Sequence, residues 1–197
     1  MSSLSRSSTG ESRTATPEFS PEERRTLLRI AHEAIRSAFT DRALPELPSP
    51  PRLAEPRGVF TTLYLHGVLR GCVGYVMAVS PLYLSVAETA RAAAFDDTRF
   101  EPVSRQEAPE LAISLSVLSP LAPIRPEDVE VGVHGLVVSA GGRRGLLLPQ
   151  VPVEHAWDRE AFLGQTCRKA GLPSDAWRKG AVLEGFTAEV FGDQGAH

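Results

Sequence analysis

The chain has no run of about 18 apolar residues, the length a membrane-crossing helix needs, and its opening MSSLSRSSTGESRTATPEF lacks the apolar stretch of a secretory leader. Cysteine is scarce: only Cys72 and Cys167 are present, at no metal-ligand spacing, so neither a disulfide framework nor a zinc site is expected. That usage fits a reducing compartment, and a cytoplasmic location is the expectation. No charge of one sign dominates, since the formal net charge is -3. A nucleic-acid partner, which needs a basic face, is therefore the least supported. The chain also lacks a dinucleotide fingerprint and a phosphate loop. AGGRRG has the glycines and arginines, but it joins two strand-like runs instead of opening a helix. No cofactor and no metal are expected.

What is present describes a globular domain: 42% hydrophobic and 23% charged residues in 197, a length at which roughly 70% of the unfolded surface can be buried. Residues 1–18 read as a disordered tail, 19–192 as the folded domain and 193–197 as a second short tail. Ser20, Pro21 and Glu23 form a capping box opening a helix with Leu27, Leu28, Ala31, Ala34, Ile35, Ala38 and Phe39 at helical spacing. The five prolines of Leu44–Gly58 make a semi-extended strap. GVFTTLYL and VLRGCVGY then read as a hairpin about a His66–Gly67 turn. Continuous alternation puts Leu69, Gly71 and Val73 on one face and Arg70, Cys72 and Gly74 on the other.

Further along, Ser80-Pro81 reads as a helix start, and Ser104 to Glu107 as another capping box, with a short helical turn ending before Pro109. LAISLSVLS alternates as a half-buried strand. SPLAPIRPED connects to a second lobe with a hairpin about AGG and a helix capped by Asp158 and ended by Gly171. LEGFTAEVF reads as one last strand. The expected fold class is α+β: a larger lobe with a largely antiparallel sheet flanked by helices (19–120 plus the closing strand), and a smaller hairpin-and-helix lobe (121–180).

Chemistry concentrates in LRGCVGY. A thiol acts as thiolate, and a neighbouring cation favours that form; Arg70 shares the Cys72 face in continuous alternation. Gly71 and Gly74 leave room for a ligand or a backbone. The alternative is that Cys72 fills a tight packing site, as free cysteines often do. Asp96, Asp97 and Arg99 fit an ion pair ordering a loop. Gln150, Glu154, His155 and Trp157 gather where a loop enters a helix, and Cys167 falls on a buried helix stripe. His32, His66, His134 and His197 read as surface, turn, strand and terminal residues.

With these segments on the page, the chain resembles the AMMECR-domain family, named for the Alport syndrome, midface hypoplasia, intellectual disability and elliptocytosis chromosomal region. The carriers are GVFTTLYLHGVLRGCVGY, AAAFDDTRFEPV, LAISLSVLSPL, GLLLPQVPVEHAWDREAFLGQTCRKAGLP and FTAEVF, spanning about Ser20 to Phe191. The resemblance implies a two-lobed α+β fold in a cytoplasmic protein, associated in prokaryotes with Memo-like and radical-SAM proteins. It singles out Leu69, Arg70, Gly71, Cys72 and Gly74; Phe95, Asp97, Arg99 and Phe100; and Pro149, Gln150, Glu154 and Trp157. Thr98 stands where the family commonly has proline, and Ala156 where a glycine commonly precedes the tryptophan. His155 is not a fixed feature of the motif. Two readings of function stand: an enzyme or enzyme subunit with Cys72 and Arg70 at its catalytic centre and Gly71, Gly74, Asp97, Arg99, Gln150, Glu154 and Trp157 around a small molecule or peptide, or a binding scaffold without chemistry.

Overall fold

The computed structural model describes residues 17–40 and 51–194. The expectations for residues 1–16, for the strap before Pro51 and for 195–197 lie outside that range.

Helix α1 (Pro21–Ser37) starts as its sequence dictates: the Ser20 hydroxyl accepts from the Glu23 amide, and the Glu23 carboxylate accepts from the Ser20 amide. Its stripe of Leu27, Ile30, Ala31, Ala34 and Ile35 is buried. The strap is not wholly irregular, since Pro51–Ala54 forms a 3-10 turn that buries Leu53. Strands β1 (Val59–Leu65) and β2 (Val68–Tyr75) meet at His66 and Gly67, whose φ values of 53° and 79° are those of a tight two-residue hairpin turn.

Helix α2 (Leu82–Phe95) begins one residue later than the Ser80-Pro81 reading places it. Pro81 takes the cap position in extended backbone, no side chain caps, and the Leu84 and Ser85 amides donate to the Pro81 carbonyl. Ser104 and Glu107 do exchange the expected pair of hydrogen bonds, but the turn that follows (Ala108–Glu110) runs through Pro109. Strand β3 (Leu111–Leu118) alternates as read, burying Leu111, Ile113, Leu115 and Val117.

The connector holds a two-residue strand, β4 (Ala122–Pro123), that its prolines concealed. Strands β5 (Gly135–Ala140) and β6 (Arg143–Leu147) form the second hairpin about Gly141 and Gly142, both at positive φ. A short helix α3 (Gln150–Glu154) leads to α4 (Arg159–Lys169), where the Asp158 carboxylate accepts from the Ala161 amide. LEGFTAEVF is two strands, not one: β7 (Val182–Phe186) and β8 (Ala188–Gly192). Between them Thr187 hands the chain from one sheet to the other, its amide donating to the Ser119 hydroxyl and its carbonyl accepting from the Ser119 amide.

The result is α+β, with two antiparallel four-stranded sheets ordered β2-β1-β3-β8 and β4-β7-β5-β6. One core unites α1 and α2 with a single face of the first sheet, through Val59, Leu63, Ile113 and Leu115. A second core joins α4 to the second sheet through Leu136, Val138, Phe162 and Leu163. A third, small cluster of Leu118, Val137 and Phe186 gathers Phe60, Leu146 and Leu148, tying the end of the first sheet to the second lobe. Among the described residues, no helix is long and apolar enough to cross a membrane.

Candidate functional site

Cys72 owes its position to one irregularity. Counted back from the turn, Leu65 pairs with Val68 and Tyr64 with Leu69, but Leu63 then pairs with Gly71 and Thr62 with Cys72. Arg70 is the extra residue of a β-bulge. An unbroken register would set Cys72 opposite Thr61, whose side chain is buried beneath α2 and bonded to Thr89 at 2.7 Å. The bulge absorbs one residue, so Gly71 faces the helix and Cys72 faces the other side of the sheet. It also corrects the alternation read from sequence: Leu69 pairs with Tyr64 and joins the Cys72 face, and Arg70 belongs to the bulge.

Gly71 is obligatory here, because a Cβ would lie 2.1 Å from the Ala93 carbonyl oxygen of α2. A Cβ at Gly74 would lie 2.3 Å from the Phe60 ring, so that ring lies over Gly74 on the Cys72 side. Both glycines therefore serve close packing.

Arg70 does not stand beside the thiol. Its Nε donates to Glu107 Oε1 (3.0 Å), Nη1 to the Glu101 carbonyl (2.7 Å), and Nη2 to the Pro102 carbonyl and Glu107 Oε2 (both 3.3 Å). All three nitrogens are engaged, and the residue bolts the bulge to the segment after α2. The Arg70 guanidinium, with the Ser104 amide and hydroxyl, holds the Glu107 carboxyl down at about 2.

The cation next to Cys72 is Arg99. Strand β2 is a sheet edge, and the backbone of Cys72 points outward from it. Its amide donates to Asp97 Oδ2 (2.9 Å), and its carbonyl accepts from Arg99 Nη2 (3.2 Å). Arg99 in turn grips Asp97 with Nε (2.9 Å) and Nη2 (2.7 Å). The pair thus offers one acceptor and one donor where a neighbouring strand would, closing an otherwise bare edge. The Arg99 guanidinium and the Cys72 amide hold the Asp97 carboxyl well below the usual carboxylate range. Asp97 raises Arg99 above its ordinary value, with a smaller contribution from Cys72.

The thiol is half-buried, and Sγ accepts a hydrogen bond from the Thr62 hydroxyl at 3.3 Å. Thr62 escapes sequence reasoning because regular counting pairs it with Gly71. On the same face, register places Tyr64 on β1 and Ser114 and Ser116 on β3, all partly exposed. This floor of hydroxyls around one sulfur ends at Phe60 and the second lobe. The sulfur thus has one hydroxyl donor, and the Arg99 guanidinium is bonded to the backbone carbonyl of the same residue.

The other predicted residues lie apart. Gln150 and Glu154 are exposed at the two ends of α3, and Trp157 packs on the second core with its ring stacked on His155 at 4.6 Å. Among the described residues, no hydrogen bond or ion pair joins these to Cys72. Cys167 is fully buried on α4, and burial raises its thiol. The two cysteines are both free. Among the described residues, no group of three or more His, Cys, Asp and Glu side chains is placed to hold a metal ion.

Fold and site together define a two-lobed α+β protein whose first sheet carries a half-buried thiol on the face its helices leave uncovered. The model of the AMMECR1 family matches residues 28–191, and the chain belongs to that family. A protein of Thermococcus onnurineus is 42% identical over 182 residues, covering 85% of this chain and 89% of its own. Protein PH0010 of Pyrococcus horikoshii is also 42% identical over 182 residues, covering 85% and 88%. The crystal structure of PH0010, described as an uncharacterized protein, matches with a TM-score of 0.70 at 41% identity, covering 88% of this chain and 92% of that one.

Proposed function

We propose that the protein is an enzyme or enzyme subunit that uses Cys72 as a nucleophilic thiol, acting on a small molecule or peptide held over the open face of the first sheet. The observation that carries this reading is the arrangement at Sγ: a half-buried sulfur, hydrogen-bonded by Thr62, on a strand whose backbone Asp97 and Arg99 hold still. A nucleophile needs its strand held in this way to meet a bound substrate in a set geometry. Arg70 enters as a positioning residue that fixes the bulge. Gln150, Glu154 and Trp157 stand on or just after α3 in the second lobe and would contact only a substrate large enough to reach them.

From the family resemblance we infer Memo-like and radical-SAM proteins as partners in a modification pathway. Size-exclusion of the purified chain mixed with each should give a co-eluting complex, and separate elution would remove them from the scheme.

A covalent trap tests the reaction. Purified protein is incubated with a fractionated metabolite extract and its intact mass followed. The expected result is an adduct that maps to the Cys72 peptide, is reversed by added thiol or by turnover, and is missing in Cys72→Ser. An adduct-free protein, or equal modification of Cys167, speaks against it. The competing reading, a binding scaffold, draws on the edge-closing role of Asp97 and Arg99. It requires Cys72→Ser to keep every partner interaction intact.

A further inference from the structure

We infer that the Cys72 site takes substrates bearing a carboxylate or similar anion, and that Arg99 is the residue that recognises it. The inference rests on the thiol reading above and names the substrate class for that site.

Two arginine–carboxylate pairs bracket Cys72, and they face in opposite senses. In the first, the acid is inside and the base outside: the Asp97 side chain is 6% exposed and Arg99 58%. In the second, Arg70 is 15% exposed and Glu107 27%. Arg70 has spent every nitrogen on Glu107 and two backbone carbonyls. Arg99 donates through its backbone amide, Nε and Nη2, and among the described residues Nη1 has no partner.

Asp97 is saturated in turn, accepting from the Cys72 amide and from the Arg99 amide, Nε and Nη2. Its charge is therefore directed into the fold, and the charge presented outward next to the thiol is positive. Because the fork onto Asp97 fixes the guanidinium plane, the free nitrogen is held in a set direction, and a bound anion loses little side-chain freedom. The Ser114 hydroxyl on the adjoining face supplies a neutral donor for a remaining oxygen, the Thr62 proton being already given to Sγ. An anion settling on Nη1 would stand next to the strand position whose sulfur is to react.

Paired alkylation reads this directly. Iodoacetate and iodoacetamide form the same S–C bond with loss of iodide and differ in carrying a carboxylate or an amide. The ratio of their rates at Cys72, mapped by peptide mass, is referred to the ratio for N-acetylcysteine. We expect the Cys72 ratio to exceed the reference by about tenfold, to shrink in about 0.5 M salt, and to fall to the reference in Arg99→Gln. Arg99→Lys, which keeps the charge without the fork, should keep part of the preference. The iodoacetamide rate alone reports any loosening of the strand edge in these variants. A wild-type ratio at the reference value, or a raised ratio that Arg99→Gln leaves unchanged, overturns the assignment while leaving the thiol reading in place. A Cys72 that reacts with neither reagent overturns the thiol reading itself.

Discussion

The two hairpins of this protein are built alike and differ by one residue. Each turns in two residues at positive φ, His66–Gly67 and Gly141–Gly142. Each has a glycine on its returning strand where a helix backbone presses down: Gly71 under Ala93, and Gly145 under Ala170, where Cβ atoms would lie 2.1 and 2.2 Å from backbone atoms. The second hairpin keeps an unbroken register from Ala140–Arg143 to Leu136–Leu147. The first inserts Arg70 before its glycine and bulges. The insertion keeps glycine against helix and turns Cys72 toward the uncovered face. In the second lobe the cysteine sits instead on the helix and is sealed in the core. One residue type has two environments: the bulge sets the face on which Cys72 stands, and helical spacing seals Cys167 in the second core.

The shared part of the comparison is broken most severely at the glycines. Gly71→Ala and Gly145→Ala should each cost about 3 kcal/mol or more, since the clash is with helix backbone that cannot yield cheaply; urea midpoints would show it, and a cost at only one site would break the parallel. The unshared part lies in the arginines. Arg70→Ala removes charge-assisted hydrogen bonds that hold the bulge and should cost about 1.5–3 kcal/mol. Arg144→Ala loses one exposed pair to Glu184 (3.5 Å) and should cost under about 1 kcal/mol.

Acid sharpens the same contrast. Glu107 is lowered from its ordinary 4.5 to about 2 by Arg70 and Ser104, so its contribution is complete above its unfolded value. That contribution fades as pH falls from there toward the folded value. The unfolding free energy from denaturant titrations should fall more steeply with pH across that window for the native chain than for Glu107→Gln, and identical pH slopes would deny the bolt on the bulge. The smallest effect is expected at Ala156, a non-glycine residue at φ 52°. Ala156→Gly should gain about 0.5–1 kcal/mol, because glycine takes that conformation without a Cβ penalty; a lower thermal midpoint would contradict this.

Much of the frame was legible in the chain. The Ser20–Glu23 box, the His66–Gly67 turn, the alternation of β3 and the Asp158 cap are local signals whose partners lie within a few residues. So was the burial of Cys167, which helical spacing places on an apolar stripe. What escaped depends on partners far along the chain. The bulge is settled by Ala93 and Glu107, one packing on Gly71 and the other holding Arg70, and neither is visible from LRGCVGY. With the register unknown, neither the Thr62 bond to Sγ nor the Arg99 bond to the Cys72 carbonyl could be read, and regular alternation set Arg70 on the Cys72 face. LEGFTAEVF reads as one strand from its residues, and only the hydrogen bonds of Thr187 with Ser119 reveal that it changes sheets. Side-chain pattern reports periodicity well, but it does not report which edge a strand finds.

The site requires Cys72 to stand at the accessible face of the first sheet, and disulfide exchange on the folded protein tests that most directly. With an aromatic disulfide reagent and no denaturant, one thiol per chain should react, mapping to Cys72, while Cys167 reacts only after unfolding. If both thiols stay silent until the protein unfolds, or if the two react at one rate, Cys72 is a packed residue like its counterpart and the site does not exist.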